Sequence, residues 1–121
     1  MTVVALDTSA LMLPVQADLR LFEALDRLLG EYDPVVPVAV LEELAALAQG
    51  HGEEATAASV GRDLAGRCET VETDASYADD ALVELVQSGR ADYVVTSDRP
   101  LHDRLDGTAI GLRGRAELAI N

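Results

Sequence analysis

Lysine is absent from this sequence, and all nine of its basic residues are arginine. A phosphate-cradling P-loop needs a lysine to reach the phosphates, and Schiff-base chemistry needs a lysine amine, so neither is available. Tryptophan is absent too, and aromatic residues make up only 3% of the chain. That excludes a base-stacking platform assembled from several aromatics. The single cysteine, Cys68, cannot form an intrachain disulfide and is no zinc site on its own, which points to a reducing, cytoplasmic setting. No apolar run approaches the roughly 18–20 residues that span a bilayer, and no secretory leader pattern opens the sequence, so no membrane role is expected.

Positive charge is scarce overall. Acidic residues number 22 against 9 basic ones, a formal charge of −13. An acid excess without lysine resembles the soluble proteins of salt-loving microbes, whose surfaces stay soluble in concentrated salt. At about 1 M salt the Debye length is only about 3 Å, so the net charge does not veto a polyanionic substrate.

What is present is 121 residues, 49% of them hydrophobic, enough for one domain with a real core, assigned here to residues 1–121. Val3–Leu6 is a short apolar run with β-branched residues, as in a strand buried on both faces. Leu21, Phe22, Leu25, Leu28 and Leu29 recur at helical spacing within Asp18–Leu29, before Gly30. Val35-Val36 reads as a second strand, and Pro37 opens a helix carrying Val40, Leu41, Leu44 and Leu47. Glu53–Arg67 is an alanine-rich helix, and Glu69–Glu72 alternates like an edge strand. Asp74–Gln87 is helical, Tyr93–Val95 is another buried strand, Pro100–Leu105 a short helix and Ala109–Leu112 a last strand. Strands alternating with helices predict a three-layer α/β/α domain with a mainly parallel central sheet.

In such a sheet, ligands bind beyond the carboxyl ends of the strands. Two of the buried strands run into aspartate there, Val3–Leu6 into Asp7 and Tyr93–Val95 through Thr96 into Asp98. Helices that follow strands begin at the same rim, which adds Glu42 and Glu43 from one helix and Asp79 and Asp80 from another. Gathered carboxylates repel one another unless they share protons or a cation. Oxygen ligands without histidine or cysteine select a hard ion, Mg²⁺ or Mn²⁺, and the natural chemistry is metal-assisted phosphodiester hydrolysis.

Each acid has a plainer alternative. The Thr8-Ser9 pair offers a cheaper helix cap than Asp7, so Asp7 is read as functional rather than capping. Asp98 fits the N-cap of the helix at Pro100, and dipole stabilisation explains Asp79 or Asp80. Glu43 lies nearer the Val40–Leu44–Leu47 face than Glu42, which is the solvent residue. Arg99, Arg104, Arg113 and Arg115 are candidate phosphate contacts, although surface ion pairing accounts for them equally well. His51 and His102 read as surface residues.

Four segments together resemble the PIN-domain ribonuclease family. Val4-Ala5-Leu6-Asp7-Thr8-Ser9-Ala10-Leu11 resembles its opening strand and aspartate, and Val36–Leu44 its helix with an acid just before a leucine. Ala78-Asp79-Asp80-Ala81-Leu82 resembles its third motif, and Val94-Val95-Thr96-Ser97-Asp98-Arg99-Pro100-Leu101 its fourth. The likeness covers nearly the whole chain in order. It implies that Asp7, Glu43, Asp80 and Asp98 form an acidic quartet, with Asp7, Asp80 and Asp98 on Mg²⁺ or Mn²⁺ and with Thr96 and Ser9 as supporting hydroxyls. Asp79 against Asp80 stays open, with Asp80 preferred because Ala81-Leu82-Val83 then follows the acid as the family's apolar run does. The resemblance further implies a central first strand, cleavage of single-stranded RNA and a homodimer. Two forms compete within it: a VapC-type toxin held inactive by a protein antitoxin, and an RNA-processing nuclease. The absence of an appended zinc or basic module favours the toxin-like form or a short stand-alone PIN protein. A response-regulator receiver and a haloacid-dehalogenase-type phosphatase both lack their lysine here. The stronger rival is a catalytically inactive PIN-like module that binds RNA or protein, against which the retention of all four acidic motifs argues.

Overall fold

The apolar run Val3–Leu6 forms β1 at the centre of a six-stranded sheet, in a computed structural model that describes every residue from Met1 to Asn121. The elements that follow are α1 (Thr8–Gln16), α2 (Leu21–Leu29), β2 (Asp33–Pro37), α3 (Val38–Ala48), α4 (Gly52–Ala65), β3 (Glu69–Val71), α5 (Ala78–Gln87), β4 (Tyr93–Val95), α6 (Arg99–Arg104), β5 (Ala109–Arg113) and β6 (Glu117–Ile120). The strand order is β3-β2-β1-β4-β5-β6. All pairs are parallel except the β5–β6 hairpin. This is a three-layer α/β/α sheet fold, as the alternation of strand and helix patterns predicts.

β1 is central because its side chains have no polar alternative. Val4, Ala5 and Leu6 are fully buried, and the strand pairs with β2 through Val4↔Pro34 and with β4 through Ala5↔Val94. Strands covered on both faces read as continuous apolar runs, and β1 and β4 do. Between β1 and β4 the strand order reverses: β2 and β3 lie on one side of β1, β4 and β5 on the other. A crevice opens at the carboxyl ends of the two strands that flank such a reversal. No helix is long and apolar enough to cross a membrane.

Two elements have no counterpart in the sequence reading, and a third, α5, starts later than it suggests. Residues 8–16 form a helix, α1, where the reading has none between the first strand and Asp18. Four consecutive residues, Ala10 to Leu13, are buried there, so no 3.6-residue stripe stands out, and Pro14 lies within the helix. The second helix accordingly starts at Leu21, and Asp18 turns the chain with φ 52°. The other addition is β6, which pairs antiparallel with β5 from Ile110↔Ile120 to Arg113↔Glu117. Helix α5 begins at Ala78, four residues later than the pattern suggests, because Asp74 and Ala75 give their N–H groups to the Glu84 carboxylate, at 2.9 Å each, and not to a helix.

Helix α1 packs most closely on α4, and the approach depends on one residue. A Cβ at Gly61 of α4 would stand 2.9 Å from the Leu11 carbonyl oxygen and 3.3 Å from Leu11 Cβ. Those are backbone and near-backbone atoms, which cannot swing aside. Gly61→Val should therefore destabilise the fold by about 2–3 kcal/mol, the cost of overpacking a filled core. Urea unfolding measures it, and unchanged stability would show that α1 and α4 do not meet this closely.

Candidate active site

Asp7 follows β1 directly, and its N–H continues the sheet by donating to the Val95 carbonyl at 3.2 Å. That bond fixes the residue against β4. The side chain then turns under the start of α1, where Oδ1 accepts from the Ala10 N–H at 2.6 Å. Asp7 is thus the N-cap of α1, correcting the expectation that Thr8-Ser9 would serve. Capping does not use up the carboxylate, since an ionised group has about four lone-pair sites. Ser9 Oγ donates to both oxygens, at 2.8 and 2.9 Å, and itself accepts from the Ser97 N–H at 2.9 Å. Thr96 Oγ1 lies 3.4 Å from Ser9 Oγ and accepts from the Asp98 N–H at 2.9 Å. The first and fourth acidic segments are therefore tied together through two hydroxyls. Ser9 and Thr96 hold Asp7 and the chain leading to Asp98 in one arrangement.

Asp7 is 4% exposed. Burial pushes its carboxyl up to about 6, against the hydrogen bonds of Thr96, the Ala10 N–H and Ser9, and nearby Asp79 raises it further. Asp98 takes the N-cap position of α6, yet its side chain makes no capping bond and is free to serve the crevice.

The crevice is a cavity of about 610 Å³. Asp7, Glu43, Glu54, Asp79, Asp80 and Asp98 line it, with Arg104 as the only positive group. Asp79 is half-buried, and its carboxyl is held above the usual range first by burial, then by the charges of Asp98 and Glu43. Asp80 also lines the cavity, but its Oδ1 is engaged by Arg104 Nη2 at 2.9 Å, in a half-exposed pair. The i, i+1 step on a helix turns two side chains about 100° apart, so the two cannot share a direction. Asp79 is the one turned to the other acids, whereas the sequence reading prefers Asp80.

The other expected residues divide. Glu43 lines the cavity, and its neighbour Glu42 does not. Arg99 stands in an adjoining hollow with Ser97, His102 and Asn121, which shares Asp98 with the main cavity. Arg113 and Arg115 line neither. The His102 side chain is one-third exposed, with Nδ1 3.6 Å from the Asp103 carboxylate and without a hydrogen-bond partner. The sequence reading does not anticipate Met12, Gln16, Leu47, Glu54 or Tyr77 in the cavity wall. Met12 and Gln16 lie one turn apart on the unanticipated α1, and Glu43 and Leu47 one turn apart on α3; that i, i+4 spacing was the available signal.

The donor set fits a hard divalent cation. It consists of carboxylates with no histidine or cysteine among them, and the buried Thr8 Oγ1 on the same wall has no hydrogen-bond partner. No three of the acids are drawn together at ligating distance.

A parallel sheet with acids at its strand-order reversal and a rim of helix-borne carboxylates defines a class of small acidic-site α/β domains. A family model described as a PIN-like domain matches residues 4–115. The chain belongs to that family. Among solved structures it is similar to one described as the PIN domain endonuclease Utp24, with 24% identity over 98% of this chain and 90% of that one, at a TM-score of 0.78. It is also similar to a domain of a functionally unknown protein from Methanocaldococcus jannaschii DSM 2661, with 17% identity over 100% of this chain and 97% of that one, at a TM-score of 0.67. No curated protein matches it.

The raised Asp7 carboxyl has a consequence for stability without metal. With a pKa near 6 in the fold and 3.8 unfolded, the native state holds the proton more tightly. Stability from this group is then full below about pH 4 and is lost as pH rises through 6, by about 3 kcal/mol. Asparagine can keep the bond from Ala10 without a charge. In EDTA, Asp7→Asn should match the wild type near pH 4 and exceed it increasingly up to about pH 7. Denaturant melts at a series of pH values measure the gap, and a constant difference would contradict the burial argument.

Proposed function

We propose that this protein is a metal-dependent endoribonuclease acting on single-stranded RNA. The observation that carries the reading is the convergence of Asp7, Glu43, Asp79 and Asp98, from four separate parts of the chain, on one open cavity at the strand-order reversal. Membership of the PIN-like family and likeness to a PIN domain endonuclease support it.

Asp7, Asp79 and Asp98 would hold Mg²⁺ or Mn²⁺, with Glu43 beside them. A bound divalent ion lowers the pKa of a coordinated water and neutralises charge on the phosphate under in-line attack. The protein's own groups do the rest. Ser9 and Thr96 keep Asp7 at the base of the cavity in one rotamer. Glu43, exposed at the rim, takes the proton of the attacking water. Arg104, tethered by Asp80, presents its guanidinium to a phosphate oxygen; planar, doubly donating groups suit that task. Arg99, in the adjoining hollow, contacts the next phosphate along the strand. A homodimer, a protein antitoxin covering the cavity and a cytoplasmic, salt-rich setting belong to the toxin-like form of this reading.

The test is cleavage of end-labelled single-stranded RNA in concentrated potassium chloride, with Mn²⁺, with Mg²⁺ and with EDTA. Cleavage should require the metal and fall at least about 100-fold in Asp7→Asn, as when a charge-stabilising group is removed. EDTA-resistant cleavage, or cleavage equal in Asp7→Asn, would refute the reading.

The same assay separates the paired acids. Asp79→Asn should lose about tenfold more activity than Asp80→Asn, because Asp80 is engaged with Arg104 while Asp79 faces the other carboxylates. Equal losses, or the reverse order, would restore Asp80 as the ligand.

A further inference from the structure

The cavity lining is of two chemical kinds. Asp7, Glu43, Glu54, Asp79, Asp80 and Asp98 with Arg104 supply charge, while Met12, Leu47 and Tyr77 supply apolar surface and Gln16 an amide. The arrangement follows from helix geometry. Asp7 caps α1, and Met12 and Gln16 follow along it, so the wall runs from a carboxylate at the helix start to a thioether and then an amide. Glu43 and Leu47 repeat the change from acid to apolar one turn apart on α3. Nine residues of α1 rise about 13 Å, which is longer than one phosphodiester and reaches a base attached to it.

Tyr77 is the distinctive part. The chain has three tyrosines, one phenylalanine and no tryptophan. Phe22 is buried, and Tyr32 and Tyr93 are partly covered, while Tyr77 is 76% exposed. Thus the one aromatic ring that stands free in solvent is at the mouth of the acidic cavity. An exposed ring is costly to keep ordered, yet the segment before it is fastened. The Glu84 carboxylate accepts the N–H groups of both Asp74 and Ala75 at 2.9 Å, and Thr73 Oγ1 donates to the Ala75 carbonyl at 2.8 Å. These bonds set the path into Tyr77 and the start of α5.

We propose that Tyr77, with Met12, Gln16 and Leu47 of the same cavity wall, forms a nucleobase subsite, in which an unpaired base of the substrate strand stacks on Tyr77 while its phosphodiester lies against the carboxylates. The inference rests on the ribonuclease reading for its substrate. Tyr77 supplies a flat π-face, Met12 and Leu47 an apolar floor, and the Gln16 amide both a donor and an acceptor for the base edge. A double helix has no unstacked base to offer, so the subsite selects single strands. The charge balance makes such a contact necessary. Nucleic-acid affinity usually comes from many cationic contacts with phosphate, and a chain of charge −13 with one arginine in the cavity has few. Base stacking replaces them and persists in concentrated salt.

Two measurements test it. In steady-state cleavage of single-stranded RNA, Tyr77→Ala should raise KM about tenfold or more with kcat within about twofold, and Tyr77→Phe should stay within about twofold of wild type in both. An active Tyr77→Ala with unchanged KM would overturn the proposal. The second readout does not need activity. Because the chain lacks tryptophan, Asp7→Asn/Tyr77→Trp carries a sole indole at the proposed stacking position. Its fluorescence should be quenched by a single-stranded RNA oligomer and not by an abasic oligomer of equal length and charge. Equal responses to the two oligomers would overturn the subsite. If the wild type shows no cleavage, the ribonuclease reading falls, and the fluorescence titration alone decides whether a base stacks at Tyr77.

Discussion

The buried Asp7 carboxylate is the constraint around which this protein is organised. Taking a carboxylate out of water costs several kcal/mol unless hydrogen bonds or an opposite charge offset it. Here no cation of the chain reaches it. Ser9, the Ala10 N–H and Thr96 oppose the burial without cancelling it, and the carboxyl remains shifted toward its neutral form. Strand β1 cannot move away, since Val4, Ala5 and Leu6 are locked between β2 and β4. Strain of this kind concentrates where function needs it, because a group destabilised alone is one that a cation stabilises.

The surrounding acids extend the same logic outward. Burial first, then the charges of Asp98 and Glu43, hold the Asp79 carboxyl above its usual range, and Arg104 forms an ion pair with only one of the cavity's acids, Asp80. The half-exposed Arg104–Asp80 pair is worth little to stability. Its value lies in holding a guanidinium at the edge of an otherwise negative hollow.

Much of this was legible in the sequence because the responsible signals are local. Two-face-buried strands show as Val3–Leu6 and Tyr93–Val95, and an aspartate soon after each marks the crevice. Alternating helix and strand patterns are enough for the three-layer sheet. Four things were not legible. Helix α1 is nearly all apolar and contains Pro14, so periodicity gives no stripe, and without α1 neither the capping by Asp7 nor the wall of Met12 and Gln16 can be foreseen. Strand β6 is four residues long and owes its pairing to β5 rather than to its own pattern. The choice between Asp79 and Asp80 depends on about 100° of helix rotation, and the late start of α5 depends on Glu84, nine and ten residues away from the amides it holds.

The central claim is that these carboxylates are a site waiting for a hard cation, with Asp7 as its indispensable member. Thermal unfolding in EDTA and in millimolar Mn²⁺, at pH 7.5 and in concentrated potassium chloride, tests it most directly. Ligand binding to the native state alone raises Tm by mass action. The account predicts a rise of several degrees for the wild type and none for Asp7→Asn, whose melting point in EDTA is already the higher of the two. A wild type indifferent to Mn²⁺, or an equal rise in both proteins, would contradict it.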